Sequence, residues 1–305
     1  MQVFLISPRG FCAGVNRAIT ILNQVIEKYK HNIYCLHQIV HNENVVNDFI
    51  QKGVIFIDHI NQVPNNGIVV FSAHGISLEV ENLAKDRNLK TIDATCPLVK
   101  KIHHSGMKYE NENKEIILIG HKNHAEIIGT SGRLKNKIAI IENKEDAKKF
   151  TPKDEKNLVY ITQTTLSLDD CQDIINILKS RFPKINQDRS NICYATQNRQ
   201  NAIKSIAEKL DLLIIFGSEK SSNSCRLRDL GENLDIETHL ILSIEQLKKD
   251  YFNNKKSIGV TSGASSPEIL THAFEKYILS NFNDVKIENY EYVKESIEFK
   301  ILNEI

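Results

Sequence analysis

The sequence predicts an α/β protein with mainly parallel strands, and three observations carry that prediction. Short runs rich in Ile, Val and Leu alternate with stretches of helical periodicity. The runs are apolar throughout instead of alternating with polar residues, which suits strands covered on both faces. Cys12, Cys96 and Cys193 recur in similar strand-to-helix turn contexts, a weak internal repeat marked by reactive residue types.

The strand runs lie at 3–6, 33–36, 54–57, 68–71, 116–119, 138–141, 158–161, 212–216, 240–242 and 258–260. Between them, Ile19, Leu22, Val25, Ile26 and Tyr29 follow helical spacing, as do Ile174, Ile177 and Leu178 before Phe182-Pro183. Pro97, directly after Cys96, suits a first helical turn. No Gly/Ser-rich or Pro-rich linker divides the chain, so the cysteines set the expected boundaries. These are a first α/β unit at 1–96, a second at 97–193 opened by Cys96, and a third at 194–281 opened by Cys193. The tail 282–305, with its strand-like stretches, is expected to pack back on the core.

The 305 residues suffice for well-buried cores. Lys+Arg 39 against Asp+Glu 38 leaves a net charge of +1, so no basic field exists to attract nucleic acid or anionic lipid. The first residues lack a basic, apolar leader and no run is long enough to span a bilayer, so a soluble cytoplasmic protein is expected. The six cysteines form no CxxC pair, which argues against a zinc ribbon, a thioredoxin motif or a compact ferredoxin-type loop.

Polar residues recur at similar offsets beyond the three cysteines. His41 follows Cys12 by 29 (41 − 12), His124 follows Cys96 by 28 (124 − 96) and Ser221 follows Cys193 by 28 (221 − 193). His74, Thr164 and Ser265 form a second set, each just after an apolar run. In parallel α/β sheets the carboxyl ends of strands form the ligand crevice. Three units in pseudo-threefold arrangement would direct the cysteines and these polar groups at one centre.

Three thiolates suit a cubane cluster with one iron left without a protein ligand, which acts as a Lewis acid. A three-cysteine zinc site looks the same in sequence, so a zinc hydrolase or lyase on a phosphorylated metabolite stays open, as does a non-catalytic redox sensor or electron carrier. His41, His74, His124, Ser221, Ser222, Asn223 and Ser265 are hydrogen-bond donors suited to a diphosphate. No Walker A and no G-x-G-x-x-G sequence supports a nucleotide. Glu126, within Gly120-His121-Lys122-Asn123-His124-Ala125-Glu126, would deliver protons if desolvated, with Thr164 as a relay; an ordinary first-turn glutamate fits equally. His31, His59, His103, His104 and His239 are read as structural or surface residues.

With these residues assembled, the chain resembles the 4-hydroxy-3-methylbut-2-enyl diphosphate reductases of the LytB family. The resemblance runs through almost the whole chain. It rests on Pro8-Arg9-Gly10-Phe11-Cys12-Ala13-Gly14-Val15, His41-Asn42, Ser72-Ala73-His74-Gly75, Asp93-Ala94-Thr95-Cys96-Pro97 and Gly120 to Glu126. Thr162-Gln163-Thr164-Thr165-Leu166-Ser167, Cys193-Tyr194-Ala195-Thr196 with Asn198-Arg199-Gln200, Ser221-Ser222-Asn223-Ser224 and Thr261 to Ser265 complete it.

The resemblance implies a trefoil of three pseudo-symmetric α/β units around a central [4Fe–4S] cluster bound by Cys12, Cys96 and Cys193. It implies a diphosphate held by His41, His74, His124, Ser221, Ser222, Asn223 and Ser265, with Thr164 also at the substrate and the substrate hydroxyl on the open iron. Glu126 and Thr164 would supply protons, and reduced ferredoxin or flavodoxin is the expected electron donor. The products would be isopentenyl and dimethylallyl diphosphate, at the last step of the non-mevalonate isoprenoid pathway. One departure is Cys225, where related sequences often carry Asn; a fourth ligand there would defeat the open-iron argument, and a neutral replacement pointing away is the simpler reading.

Overall fold

A computed structural model describes residues 1–30, 32–187 and 192–301; His31 and the end of the expected tail, 302–305, lie outside the described residues. The chain opens with β1 (Gln2–Ser7), α1 (Ala13–Tyr29), β2 (Ile33–Leu36), α2 (Glu43–Gln51), β3 (Val54–Ile57), β4 (Ile68–Phe71), α3 (Leu78–Asp86) and β5 (Lys90–Asp93). It continues through α4 (Pro97–Asn111), β6 (Glu115–Ile119), α5 (Ala125–Ser131), β7 (Ala139–Ile141), α6 (Lys144–Lys149), β8 (Leu158–Thr162), α7 (Leu168–Arg181) and β9 (Asn186–Gln187). The remaining elements are α8 (Tyr194–Ile206), β10 (Leu212–Phe216), α9 (Ser222–Asn233), β11 (Glu237–Ile241), β12 (Ser257–Ser262), α10 (Ile269–Asn281) and β13 (Lys286–Glu291).

The strands form three sheets, in orders β3-β2-β4-β5, β7-β6-β8-β9 and β11-β10-β12-β1-β13. Every strand pairing among the described residues is parallel, as the uniformly apolar runs predict. All three sheets share one order, second-first-third-fourth, with β1 in the fourth place of the last sheet and β13 added beyond it. Each cysteine therefore follows the fourth strand of a sheet and precedes a helix.

This permutation differs from the expected boundaries. The 1–96 unit would join β1 to the strands of 33–93, whereas β1 pairs with β12 on one side and β13 on the other. A strand followed by a helix reads as the start of a unit, and strand pairing is a long-range choice that local sequence does not encode. The chain divides into two compact units, one of Met1–Asn16, His41–Asp48 and Tyr194–Glu298, the other of Arg17–Val40, Phe49–Cys193 and the residues from Phe299 on. The first holds the five-stranded sheet and the second the two four-stranded sheets.

Alternate residues of the buried strands fill opposite faces. Leu212, Ile214 and Phe216 of β10 pack with Phe274 and Ile278 of α10, while Leu213 and Ile215 pack with Ile203 and Ile206 of α8 and Leu227 of α9. In the middle sheet Ile117, Ile119 and Tyr160 meet Ile174 and Leu178 of α7, and Ile116, Leu118, Val159 and Ile161 meet Ile102 of α4 and Ile127 of α5. Such two-sided burial is what removes the alternation from the sequence.

Strands β5, β9 and β13 escape the apolar-run criterion because their sequences, KTID, NQ and KIENYE, are polar or very short, which an edge position tolerates. Residues 286–291 of the expected tail are thus an integral strand, continued by the Tyr292 amide donating to the Ser7 carbonyl. No helix among the described residues is long and apolar enough to cross a membrane.

The core assignment is open to test at Ile214, which is fully buried. Ile214→Ala should lower unfolding stability by about 2–5 kcal/mol in a denaturant titration, and a cost under roughly 1 kcal/mol would contradict this packing.

Candidate active site

Cys12, Cys96 and Cys193 are held by one repeated device. The Cys12 amide donates to the Ala264 carbonyl at 3.1 Å, the Cys96 amide to Ala73 at 3.0 Å and the Cys193 amide to Thr164 at 3.1 Å. Each acceptor lies in the loop after the third strand of the same sheet, beside or within the second polar set. The helices that follow, α1, α4 and α8, place each thiol at a helix N-terminus.

All three thiols are partly exposed, whereas Cys35 and Cys171 are buried. Burial pushes the Cys35 thiol well above its ordinary range and Cys171 up to about 12, so both are inert. Cys225 sits in the first turn of α9 with its Sγ donating to the Glu219 carbonyl at 3.2 Å, and burial raises its thiol pKa too.

In the unit of the two four-stranded sheets, the loops after β4, β6 and β8 carry His74, His124 and Thr164, and Glu126 follows in the first turn of α5. His124 is the N-cap of α5, its Nδ1 accepting from the Glu126 amide at 3.1 Å. That bond puts the hydrogen of a neutral imidazole on Nε2, a donor for an anion. His74 stands edge-on to it with ring centroids 6.0 Å apart, its Nδ1 3.4 Å from the Ser72 hydroxyl.

Glu126, 2% exposed, accepts from the Thr164 amide at 2.8 Å through Oε1, and its Oε2 lies 2.8 Å from the Thr164 hydroxyl. Burial raises the carboxyl from its ordinary 4.5 to about 7 against the downward pull of those two bonds. The first-turn glutamate is therefore an enclosed acid and not a solvated one.

In the other unit, the Ser265 hydroxyl donates to the His41 carbonyl at 3.0 Å and lies 3.3 Å from the Ser221 hydroxyl. Ser221 caps α9 by accepting from the Ser224 amide, and Ser222 is the first residue of that helix. The Asn223 Oδ1 accepts from the Ala264 amide at 2.8 Å, which turns its Nδ2 into the donor, 3.4 Å from the Thr196 hydroxyl. The predicted residues thus fall into two groups, Cys12, His41, Ser221, Ser222, Asn223 and Ser265 in one unit, and Cys96, Cys193, His74, His124, Glu126 and Thr164 in the other.

Sequence reasoning overlooked the residues that hold these loops in place. Asn42, fully buried, caps α2 by accepting from the Asn44 and Val45 amides, so it and not His41 is the counterpart of His124 and Ser221 as a cap. The Ser262 hydroxyl accepts from the Gly10 amide at 2.7 Å, where Gly10 adopts φ +74°, a conformation that disfavours a side chain. Asn42 was legible as an Asn before a helical run; Ser262 bore no local signal.

The raised Glu126 pKa makes a stability prediction. The folded protein binds this proton more tightly than the unfolded chain, so the contribution is fully present below about pH 4.5 and is lost as pH rises through about 7. Between pH 4 and 8 the stability of the wild type relative to Glu126→Gln should fall by up to about 3 kcal/mol in denaturant titrations, and a pH-independent difference would refute the burial argument.

With the fold and these groups described, comparison with known proteins is direct. The LytB protein family matches residues 3–279. The chain is 47% identical to the 4-hydroxy-3-methylbut-2-enyl diphosphate reductase of Wolbachia pipientis wMel, covering 99% of each chain. It is 44% identical to the reductase of the same name from Francisella tularensis subsp. novicida (strain U112), covering 99% of this chain and 96% of the relative. The solved structure of the E-1-hydroxy-2-methyl-but-2-enyl-4-diphosphate reductase from Plasmodium falciparum superposes with a TM-score of 0.95 at 39% identity, covering 98% of this chain and 95% of the other. A structure of (E)-4-hydroxy-3-methyl-but-2-enyl diphosphate reductase, the terminal enzyme of the non-mevalonate pathway, matches 92% of this chain and 99% of the other at 30% identity with a TM-score of 0.66. The fold is the one these solved reductases share, and the chain belongs to the LytB protein family.

Proposed function

We propose that this protein reduces 4-hydroxy-3-methylbut-2-enyl diphosphate to isopentenyl and dimethylallyl diphosphate, the last step of the non-mevalonate pathway. The observation that carries the reading is one continuous connection. Thr164 accepts the Cys193 amide through its carbonyl and sits 2.8 Å from Glu126 through its hydroxyl. A buried acid with a pKa near neutrality therefore stands one residue away from the loop of a partly exposed thiol.

The donor set fits a thiophilic group. Three partly exposed thiols at helix N-termini are the ligands an iron–sulfur cluster takes, and Cys12, Cys96 and Cys193 would hold a [4Fe–4S] cluster. Among the described residues no three His, Cys, Asp or Glu side chains form a group that would hold one metal ion, so the fit rests on donor chemistry. When bound, the cluster supplies electrons and, at an iron without a protein ligand, a Lewis acid for the leaving oxygen.

The reaction consumes two electrons and two protons, breaks the allylic C–O bond and releases water. Hydroxide is a poor leaving group, and Glu126 supplies the proton that lets it depart as water. An acid with a pKa near 7 is still protonated in part at neutral pH, and Thr164 both orients that carboxyl and relays its proton. The second proton goes to either end of the resulting allyl system, which yields the two products. His41, His74, His124, Ser221, Ser222, Asn223 and Ser265 bind the diphosphate, with the imidazole Nε2–H of His124 and the Asn223 amide already turned into donors by their partners. Reduced ferredoxin or flavodoxin is the class of donor that supplies such electrons, in a cytoplasmic setting that keeps the thiols reduced.

Anaerobic turnover of the diphosphate with a reduced dye should yield both products, and a colourless protein active without reductant would instead support a zinc hydrolase. Glu126→Gln should retain iron, sulfide and substrate binding and lose about 100-fold or more in kcat, the scale of general acid catalysis. Near-normal turnover would remove Glu126 from the reaction. Cys96→Ser should fail to keep its iron, and full iron and sulfide occupancy would strike it from the ligand set.

A further inference from the structure

Two of the most buried cations in the protein lie in the helices that follow cysteines. Arg199 in α8 is 1% exposed and Arg17 in α1 is 7% exposed. Arg199 donates through Nη2 to the Gly10 carbonyl at 2.8 Å, two residues before Cys12, and through Nη1 to the Ala195 carbonyl at 2.9 Å. Its counter-charge is Glu295, 15% exposed, whose Oε1 lies 3.3 Å from Nη1 and also accepts from the Asn198 side chain at 3.1 Å. Arg17 repeats the pattern in the other unit. Its Nη1 donates to the Thr95 carbonyl at 3.1 Å, immediately before Cys96, and its Nε to the Lys300 carbonyl at 2.9 Å.

Both guanidinium groups therefore join a cysteine loop to the segment 292–301. A buried guanidinium is costly unless its charge is countered, and Arg199, whose buried Nε has no hydrogen-bond partner among the described residues, relies on Glu295 of that segment. The loops in turn need the arginines. The Gly10 carbonyl belongs to a residue at φ +74° whose amide is taken by Ser262, and the next fixed point is the Cys12 amide on Ala264. Holding the Gly10 carbonyl completes the restraint on the backbone that presents the Cys12 thiol.

We propose that Arg199 and Arg17, completed by Glu295 and the Lys300 carbonyl, are positioning residues that set the Cys12 and Cys96 loops in their ligand-presenting conformations. Segment 292–301 acts as a brace in place of a loose tail. Its relevance to a cluster rests on the function proposed above, whereas the restraint on the loops does not.

The test compares full-length wild type, Glu295→Ala and Glu295→Gln by two readouts: amide hydrogen exchange, and iron release to a chelator after anaerobic reconstitution. Glu295→Ala should speed exchange in residues 9–14, and speed iron release, by about tenfold, the scale of one lost charge-assisted hydrogen bond. Glu295→Gln, which keeps an acceptor for Asn198 and Arg199, should recover most of the loss. Exchange in the β10 core at 212–216 should stay at the wild-type rate. The proposal fails if residues 9–14 exchange in Glu295→Ala as in wild type, or if 212–216 accelerates equally, since a merely structural role would loosen both. If the wild type takes up no cluster, the functional reading falls while the exchange comparison still decides the brace.

Discussion

Three backbone hydrogen bonds organise the site: each candidate ligand cysteine donates its amide to the loop after the neighbouring strand. The bond is possible because every sheet places its fourth strand beside its third, so the loops that leave their carboxyl ends run side by side. It orients the turn that presents the thiol and starts the following helix at the same point. A change in strand order would separate those loops and leave cysteines with no common context.

The repeat fixes positions and leaves chemistry to vary. Glu126 and Asn223 each stand two residues after the cap of their helix, and each accepts an amide of the third-strand loop, from Thr164 and from Ala264. In one sheet that place holds a carboxyl that burial brings into the neutral range; in another it holds an amide that cannot titrate. The same exchange occurs at the caps, where His124, Ser221 and Asn42 perform one structural task with side chains of different chemistry and reach. Of the two equivalent places two residues after a cap, only the one at Glu126 holds a titratable side chain.

Buried charge is used sparingly around these loops. Glu126 has no cation among the hydrogen-bond partners described for it, and burial shifts its proton equilibrium instead. Arg199 cannot shed its charge and is met by a carboxylate and by carbonyl oxygens. One group is kept adjustable and the other permanent, a difference set by chemistry at similar depth.

Much of the fold and of the candidate site was legible in the sequence because the signals are local. Apolar runs such as 212–216 mark strands covered on both faces, and Cys12, Cys96 and Cys193 share a turn context that a reader can align. Long motifs such as Gly120 to Glu126 carry the family resemblance that names the site residues. Edge strands β5, β9 and β13 stayed hidden because their polar or very short sequences contain no apolar run. What only the tertiary structure decided is pairing: that β1 closes the sheet of β12, that Glu126 is buried against Thr164, and that Arg199 and Glu295 meet near Gly10. Those outcomes join residues as far as 255 positions apart in sequence (257 − 2, for Ser257 and Gln2), and no local periodicity encodes a partner at that distance.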